Sequence, residues 1–138
     1  MLCKMVNEEY IMKIGMLQEE GKKIEEQLNL FTQQSIELSN LQENLKNFHE
    51  TKQKEILASF GKGIFFKSDV REKGFFVNVG GGIVLKKSYE ETREIISRQI
   101  VQIDKIRAEL VKEIQKLNSQ IVELVEEVRG EGGGELLG

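Results

Sequence analysis

The sequence predicts an α+β fold. Two long helices form an antiparallel coiled-coil hairpin, and two central β-hairpins between them build a β-barrel platform in an oligomer. Three observations carry this. Apolar residues at both ends of the chain recur at alternating steps of three and four. The middle repeats a strand–glycine–strand pattern twice. Finally, the 138 residues include no Pro and no Trp, with 39% apolar and 31% charged residues. That is too little apolar material for one large core but ample for long amphipathic helices.

The first helix is expected over residues 8–56. Its seam runs through Tyr10, Ile14, Leu17, Gly21, Ile24, Leu28, Phe31, Ser35 and Leu38, of which seven of nine are apolar. The next apolar partners are Leu41, Leu45 and Phe48, a register shift of the kind a stammer introduces. At 1.5 Å per residue such a helix is roughly 70 Å long.

Residues 57–87 hold the two hairpins. Shifting "ASFGKGIFFKS" (58–68) by 19 positions places it on "VNVGGGIVLKK" (77–87): Gly61 falls on Gly80, Gly63 on Gly82, Ile64 on Ile83 and Lys67 on Lys86. Glycines at these points permit the positive φ angles that tight hairpin turns require. The strands are apolar on both faces. Ile64, Phe66, Phe75, Val77, Val79, Ile83 and Leu85 alternate with Phe65, Phe76 and Val84, and Phe60 adds a further ring. One isolated small sheet cannot cover both faces or its own edges. These eleven residues are therefore expected to be oligomerisation contacts.

The second helix is expected over 88–129. Ile96, Ile100, Ile103, Arg107, Leu110, Ile114, Leu117, Ile121, Leu124 and Val128 keep a strict 3-4 alternation, broken only by Arg107. A seam this narrow indicates a left-handed coiled coil. Ser88 is placed as N-cap, with Glu90 and Glu91 facing the helix dipole. Arg129-Gly130 is expected to end the helix, leaving 130–138 as a flexible tail. Two helices of similar length, about 70 and 60 Å, fold back on each other most simply as an antiparallel pair, which brings the two chain ends together.

The order of long helix, "GKGIFF", polar link, "FFVNVGGGIVLKK" and second long helix resembles the alpha-class subunit of prefoldin, in the archaeal type. The resemblance covers about residues 8–128, making 1–138 a single prefoldin-like domain. Its specific part is the pair of Gly-x-Gly hairpins followed by "YEETREII" (89–96), since the beta class has one hairpin. The resemblance implies an ATP-independent chaperone, a holdase that binds non-native polypeptides between coiled-coil tips and passes them to a group II chaperonin. It also implies assembly with beta-class prefoldin subunits. Lys62, the aromatic "IFF" and "FFV", and the missing proline before the first Gly-x-Gly depart from the family pattern. The alternative they raise is a divergent, gamma-type variant that associates with copies of itself, as a structural homo-oligomer or filament.

All four methionines lie in the first sixteen residues. Met5, Val6, Tyr10, Ile11, Met12, Met16 and Leu17 at one end, with Ile121, Val122, Leu124, Val125 and Val128 at the other, exceed what a single seam can bury. Flexible methionine suits a surface that accepts many partners. These twelve residues are the expected client-binding tips.

Other functions are disfavoured. The net charge of −3, with both signs interspersed, does not suit nucleic acid or an anionic membrane. No run approaches the ~20 apolar residues of a membrane span. "MLCKMVNEEY" lacks a signal-peptide core and Cys3 is alone, so the cytoplasm is the expected location. His49 has no second histidine or cysteine cluster with which to hold a metal. "FGKG" and "VGGG" do not match phosphate-loop spacing. With no nucleophile–base–orienter trio, no enzyme activity, catalytic residue or cofactor is expected.

Overall fold

The computed structural model describes the backbone of residues 2–136 and the side chains of 8–130. The element order is α1 (Leu2–Glu50), β1 (Glu55–Gly61), β2 (Ile64–Asp69), β3 (Phe75–Gly80), β4 (Ile83–Lys87) and α2 (Tyr89–Leu136). Two compact units divide the chain. One joins Met1–Ser35 to Ile103–Gly138, and the other is Ile36–Gln102.

In the first unit the helices pack along the expected seam. Ile24, Leu110 and Leu117 are buried, with Leu17, Leu28, Phe31 and Ile114 packed against them. Each break in the apolar pattern has a structural counterpart. Gly21 faces Leu117, and a Cβ built on it would sit 3.9 Å from Leu117 Cδ1, an ordinary contact. The other two breaks, Ser35 and Arg107, meet in one polar layer. Ser35 Oγ donates to Asp104 Oδ1 (3.3 Å), which also accepts from Arg107 Nη1 (3.1 Å). Arg107 Nε donates to Thr32 Oγ1 (3.2 Å), whose hydroxyl donates to Leu28 O (2.8 Å).

Because Gly21 lies in a helix interior with room for a methyl group, Gly21→Ala is expected to stabilise the chain by about 1 kcal/mol. Chemical denaturation followed by circular dichroism checks this. A lower midpoint would mean that the seam tolerates no added carbon there.

In the second unit the seam departs from the predicted register shift. Leu41 is exposed, and Gln42 takes the half-buried position four residues after Leu38. Its Nε2 donates to Ser97 Oγ at 2.9 Å, so a polar residue fills the seam with its hydrogen bond made. Leu45 and Ile96 are buried beyond it. The 3-4 alternation thus continues from Tyr10 through Gln42 to Leu45; beyond it Phe48 is half-buried, while the exposed His49 stacks its ring on Tyr89 with centroids 3.9 Å apart. Apolar character alone pointed to Leu41; the satisfied Gln42–Ser97 pair decides for Gln42.

The helix bounds also differ from those expected. α1 starts at Leu2 and ends at Glu50, six residues before 56. Lys73 caps this end: its Nζ donates to His49 O in the last turn (2.8 Å) and to Thr51 O just beyond it, placing a cation on the negative end of the helix dipole. Val70 N then donates to Lys54 O at 2.6 Å, and β1 begins at Glu55. α2 continues past Gly130 to Leu136. Gly130 is not among the residues of positive φ, the conformation that ends a helix at glycine. A helical glycine costs about 1 kcal/mol but does not forbid the helix.

The start of α2 is a reciprocal capping box. Glu91 N donates to Ser88 Oγ (3.2 Å) and Ser88 N to Glu91 Oε1 (3.4 Å). The Ser88 backbone amide, then its side chain and Lys87, hold the Glu91 carboxyl below the usual carboxylate range. Buried Thr92 is satisfied by its own hydroxyl, which donates to Ser88 O at 2.8 Å.

The β region consists of two separate two-stranded antiparallel sheets, β1–β2 and β3–β4. Among the described residues no barrel closes within the chain.

Candidate functional site

The internal repeat proves to be a repeat of geometry. Ser59 pairs with Phe65 as Asn78 pairs with Val84, and Gly61 with Ile64 as Gly80 with Ile83. Both hairpins skip one residue, Phe60 and Val79, in a β-bulge. The bulge amide is satisfied the same way twice: Gly61 N donates to Ser59 Oγ (3.1 Å) and Gly80 N to Asn78 Oδ1 (2.9 Å). The turn pairs have φ of 50° and 79° at Lys62-Gly63, and 60° and 76° at Gly81-Gly82. Positive φ at both central residues is the type I′ pattern that matches strand twist. Among the described residues Lys62 alone occupies this region without being glycine.

The strands carry their apolar side chains into the open. Of the eleven residues expected to be assembly contacts, nine are exposed in the single chain, led by Phe60, Phe76, Ile64 and Phe65. Only Phe75 and Val77 are half-buried, and Phe75 packs edge-on to Phe48 at 5.7 Å. Phe60 and Phe66 contact each other with centroids 4.9 Å apart. Leu57 was missed by the sequence reading and is also exposed, at 66%. The 19-residue shift would have found it, because it lands on Phe76.

The terminal end of the first unit holds the residues expected to bind clients. Ile11, Met12, Met16 and Val122 are exposed, at 62%, 69%, 70% and 55%. Tyr10, Leu17, Ile121, Leu124, Val125 and Val128 are half-buried and form the widened seam beneath them. The side chains of Met5 and Val6 lie outside the described residues. A groove of about 740 Å³ runs beside α1, lined by Met12, Lys13, Gly15, Met16, Leu17, Glu19, Glu20, Lys23 and Leu124. Gly15 and the charged rim were not part of the expected site. They leave no apolar signal in a sequence, and only helix geometry brings them beside the methionines.

Among the described residues no group of three or more His, Cys, Asp or Glu could hold a metal ion. Among the described residues, too, no helix is long and apolar enough to cross a membrane.

Comparison with known proteins agrees with this geometry. Residues 17–132 match the family described as "Prefoldin subunit". The chain belongs to the prefoldin family. Within that family it is similar to prefoldin subunit alpha of Methanosphaera stadtmanae, with 27% identity over 89 residues. That match spans 64% of this chain and 64% of the relative, so it covers just under two thirds of the relative's length. In fold it is similar to a chain of the filamentous PFD from Methanocaldococcus jannaschii, seen by cryo-EM. The TM-score there is 0.51 at 22% identity, covering 90% of this chain and 98% of the other. Two helices flanking two hairpins are thus a prefoldin fold, and it is the hairpins that stand bare in the single prefoldin chain.

Proposed function

We propose that this chain is a subunit of an ATP-independent holdase, working in the cytoplasm. It captures exposed apolar segments of non-native polypeptides at the terminal end of its first unit and passes them to a group II chaperonin. The observation that supports this best is the exposure of Ile11, Met12, Met16 and Val122 above an already complete seam. The coiled coil has no structural use for them there. Burial of such side chains drives capture at roughly 25 cal/mol per Å² without demanding a particular sequence. Assembly through the hairpins, with beta-class subunits or with copies of itself, gathers several such ends around one client, and weak contacts then add through multivalency.

The test is aggregation of a chemically denatured protein diluted into buffer, followed by light scattering, with and without the assembled chain. Met12→Ser and Met16→Ser are each expected to weaken protection about tenfold, the loss of about 1.5 kcal/mol of apolar burial. Protection by the double variant equal to that of the parent would rule out this surface as the capture site.

A second reading is structural: a protein whose hairpins assemble it into homo-oligomers or filaments. Nine bare apolar hairpin residues and the likeness to a filamentous PFD favour it. Mass by light scattering separates the two. A discrete complex formed only with a beta-class subunit supports the first. Large, concentration-dependent particles of this chain alone support the second.

A further inference from the structure

Hairpin β1–β2 carries charges that hairpin β3–β4 lacks, and they lie at its two ends. At the base, Glu55 stands directly opposite Asp69. Val70 N donates across the hairpin to Lys54 O, so the neighbouring Glu55–Asp69 pair is of the non-hydrogen-bonded kind, in which facing side chains come closer. Like charges directly opposite each other oppose strand pairing. Both carboxylates are exposed, and no ion pair joins either of them to Lys54, Lys67 or any other described residue. At the turn, Lys62 holds a φ of 50°, a region sterically unfavourable for a residue with a Cβ. Its ammonium makes no ion pair or hydrogen bond among the described residues. The 19-residue shift puts Gly74, Gly81 and Ser88 at these three places in the second hairpin. Two local penalties of opposite charge thus sit on one hairpin, and neither is relieved within the chain.

A second copy of the same hairpin relieves both. Its two open edges are not equivalent. β1 is interrupted by the bulge at Phe60, whereas β2 gives one residue to every pair from Ile64 to Asp69. By strand alternation from Val70, the backbone groups of Phe65, Lys67 and Asp69 point to the free edge of β2. Two copies of β2 laid antiparallel about a two-fold axis keep their sheet faces, so the axis passes through a residue of the strand rather than between two. With the axis at Phe65, that ring meets its own copy and Ile64 meets Phe66, so every apolar residue of β2 faces another. Axes at Ile64, Phe66 or Lys67 each set one of these three against glycine or a polar residue. The Phe65 register puts Lys62 opposite Ser68 of the other copy, next to Asp69. Taking assembly through the hairpins as its basis, we propose that β1–β2 is a self-complementary two-fold contact between copies of this chain, in which Lys62 of each copy neutralises the Glu55–Asp69 pair of the other. β3–β4 has neither the tip cation nor the base acids, so it makes no equal substitute in this contact. Two hairpins alike in geometry are in this way assigned different partners.

Self-association of the full chain is followed by light scattering over a dilution series. Lys62→Asn is the first variant, because asparagine suits this turn position at least as well as lysine and carries no charge. It is expected to raise the concentration of half-association about tenfold, and the difference is expected to shrink at high salt, where exposed charges are screened. Lys62→Glu, and separately Glu55→Lys with Asp69→Lys, are each expected to associate more weakly than the parent by roughly tenfold or more. Mixed together, these two reversed chains are expected to regain parental association, since each tip then meets a base of opposite charge. That recovery also shows that both are folded. Parental association by Lys62→Asn, or no recovery on mixing, overturns the proposal and leaves assembly through the hairpins standing. A parent that stays monomeric alone overturns it as well. In that case a discrete complex with a beta-class subunit keeps assembly through the hairpins, and the lack of one removes that reading too.

Discussion

Replacing Phe65 and Phe76 with serine is expected to leave a folded, helical chain that no longer assembles. Both rings are exposed, at 57% and 69%, and among the described residues neither makes a ring contact. Removing them therefore costs the monomer little. In an assembly each would be buried at a gain of about 1.5–3 kcal/mol, so the pair accounts for roughly 3–6 kcal/mol per copy. That corresponds to about two to four orders of magnitude in association. Light scattering should show the double variant at monomer mass, both alone and with a beta-class subunit, with the helical circular dichroism signal unchanged. Retention of the parental mass would show that assembly does not use the second face of the hairpins. The expectation rests on the two-sided strands. With only one apolar face the hairpins could fold back on the helices and be satisfied. With two, one face stays bare whatever the chain does by itself.

Replacing Arg107 with leucine should act in the opposite direction on stability. Arg107 stands at a seam position where every other α2 residue from Ile96 to Val128 is apolar. It is held by Thr32 and Asp104. Exchanging such a polar group for a well-packed apolar one is expected to stabilise the helix pair by about 1–3 kcal/mol. Thr32 keeps its bond to Leu28 O, and Asp104 keeps that from Ser35 and its access to solvent. What is lost is specificity: a polar seam residue with a single matching site on the other helix penalises every slipped register. Thermal unfolding measures the gain. Spin labels at Glu25 and Glu109, read by pulsed electron resonance, measure the register. A higher melting temperature with a broadened distance distribution is the expected pair of results. A narrower or unchanged distribution would show that apolar packing alone sets the register.

The residues of this polar layer show how far the sequence could be read. Periodicity marked Ser35 and Arg107 as the exceptions on their helices, but not that they share Asp104. A one-dimensional pattern carries no information about which positions of two helices stand opposite each other. The same limit explains Gln42. Scored by apolarity it looked like a surface residue beside Leu41, and only its hydrogen bond to Ser97 shows that it, rather than Leu41, holds the seam position there. Lys73 is a third case. It lies 24 residues from the carbonyl of His49 that it caps, and no local signal for ending α1 at Glu50 could have named it.

What the sequence determined by itself were the features that repeat along the chain. The 3-4 alternation specifies two coiled-coil helices, because the helix period places those residues on one stripe. The 19-residue repeat specifies two equivalent hairpins, down to the bulge and the side-chain oxygen that satisfies it, because turn geometry is a local property of glycine and its neighbours. The tertiary structure decided what depends on opposing surfaces: the continuous seam through Gln42, the shared polar layer, the Lys73 cap, and the groove that Gly15 opens beside Met12 and Met16. Each needs two segments distant in sequence to meet at a particular height, which no local run of residues encodes.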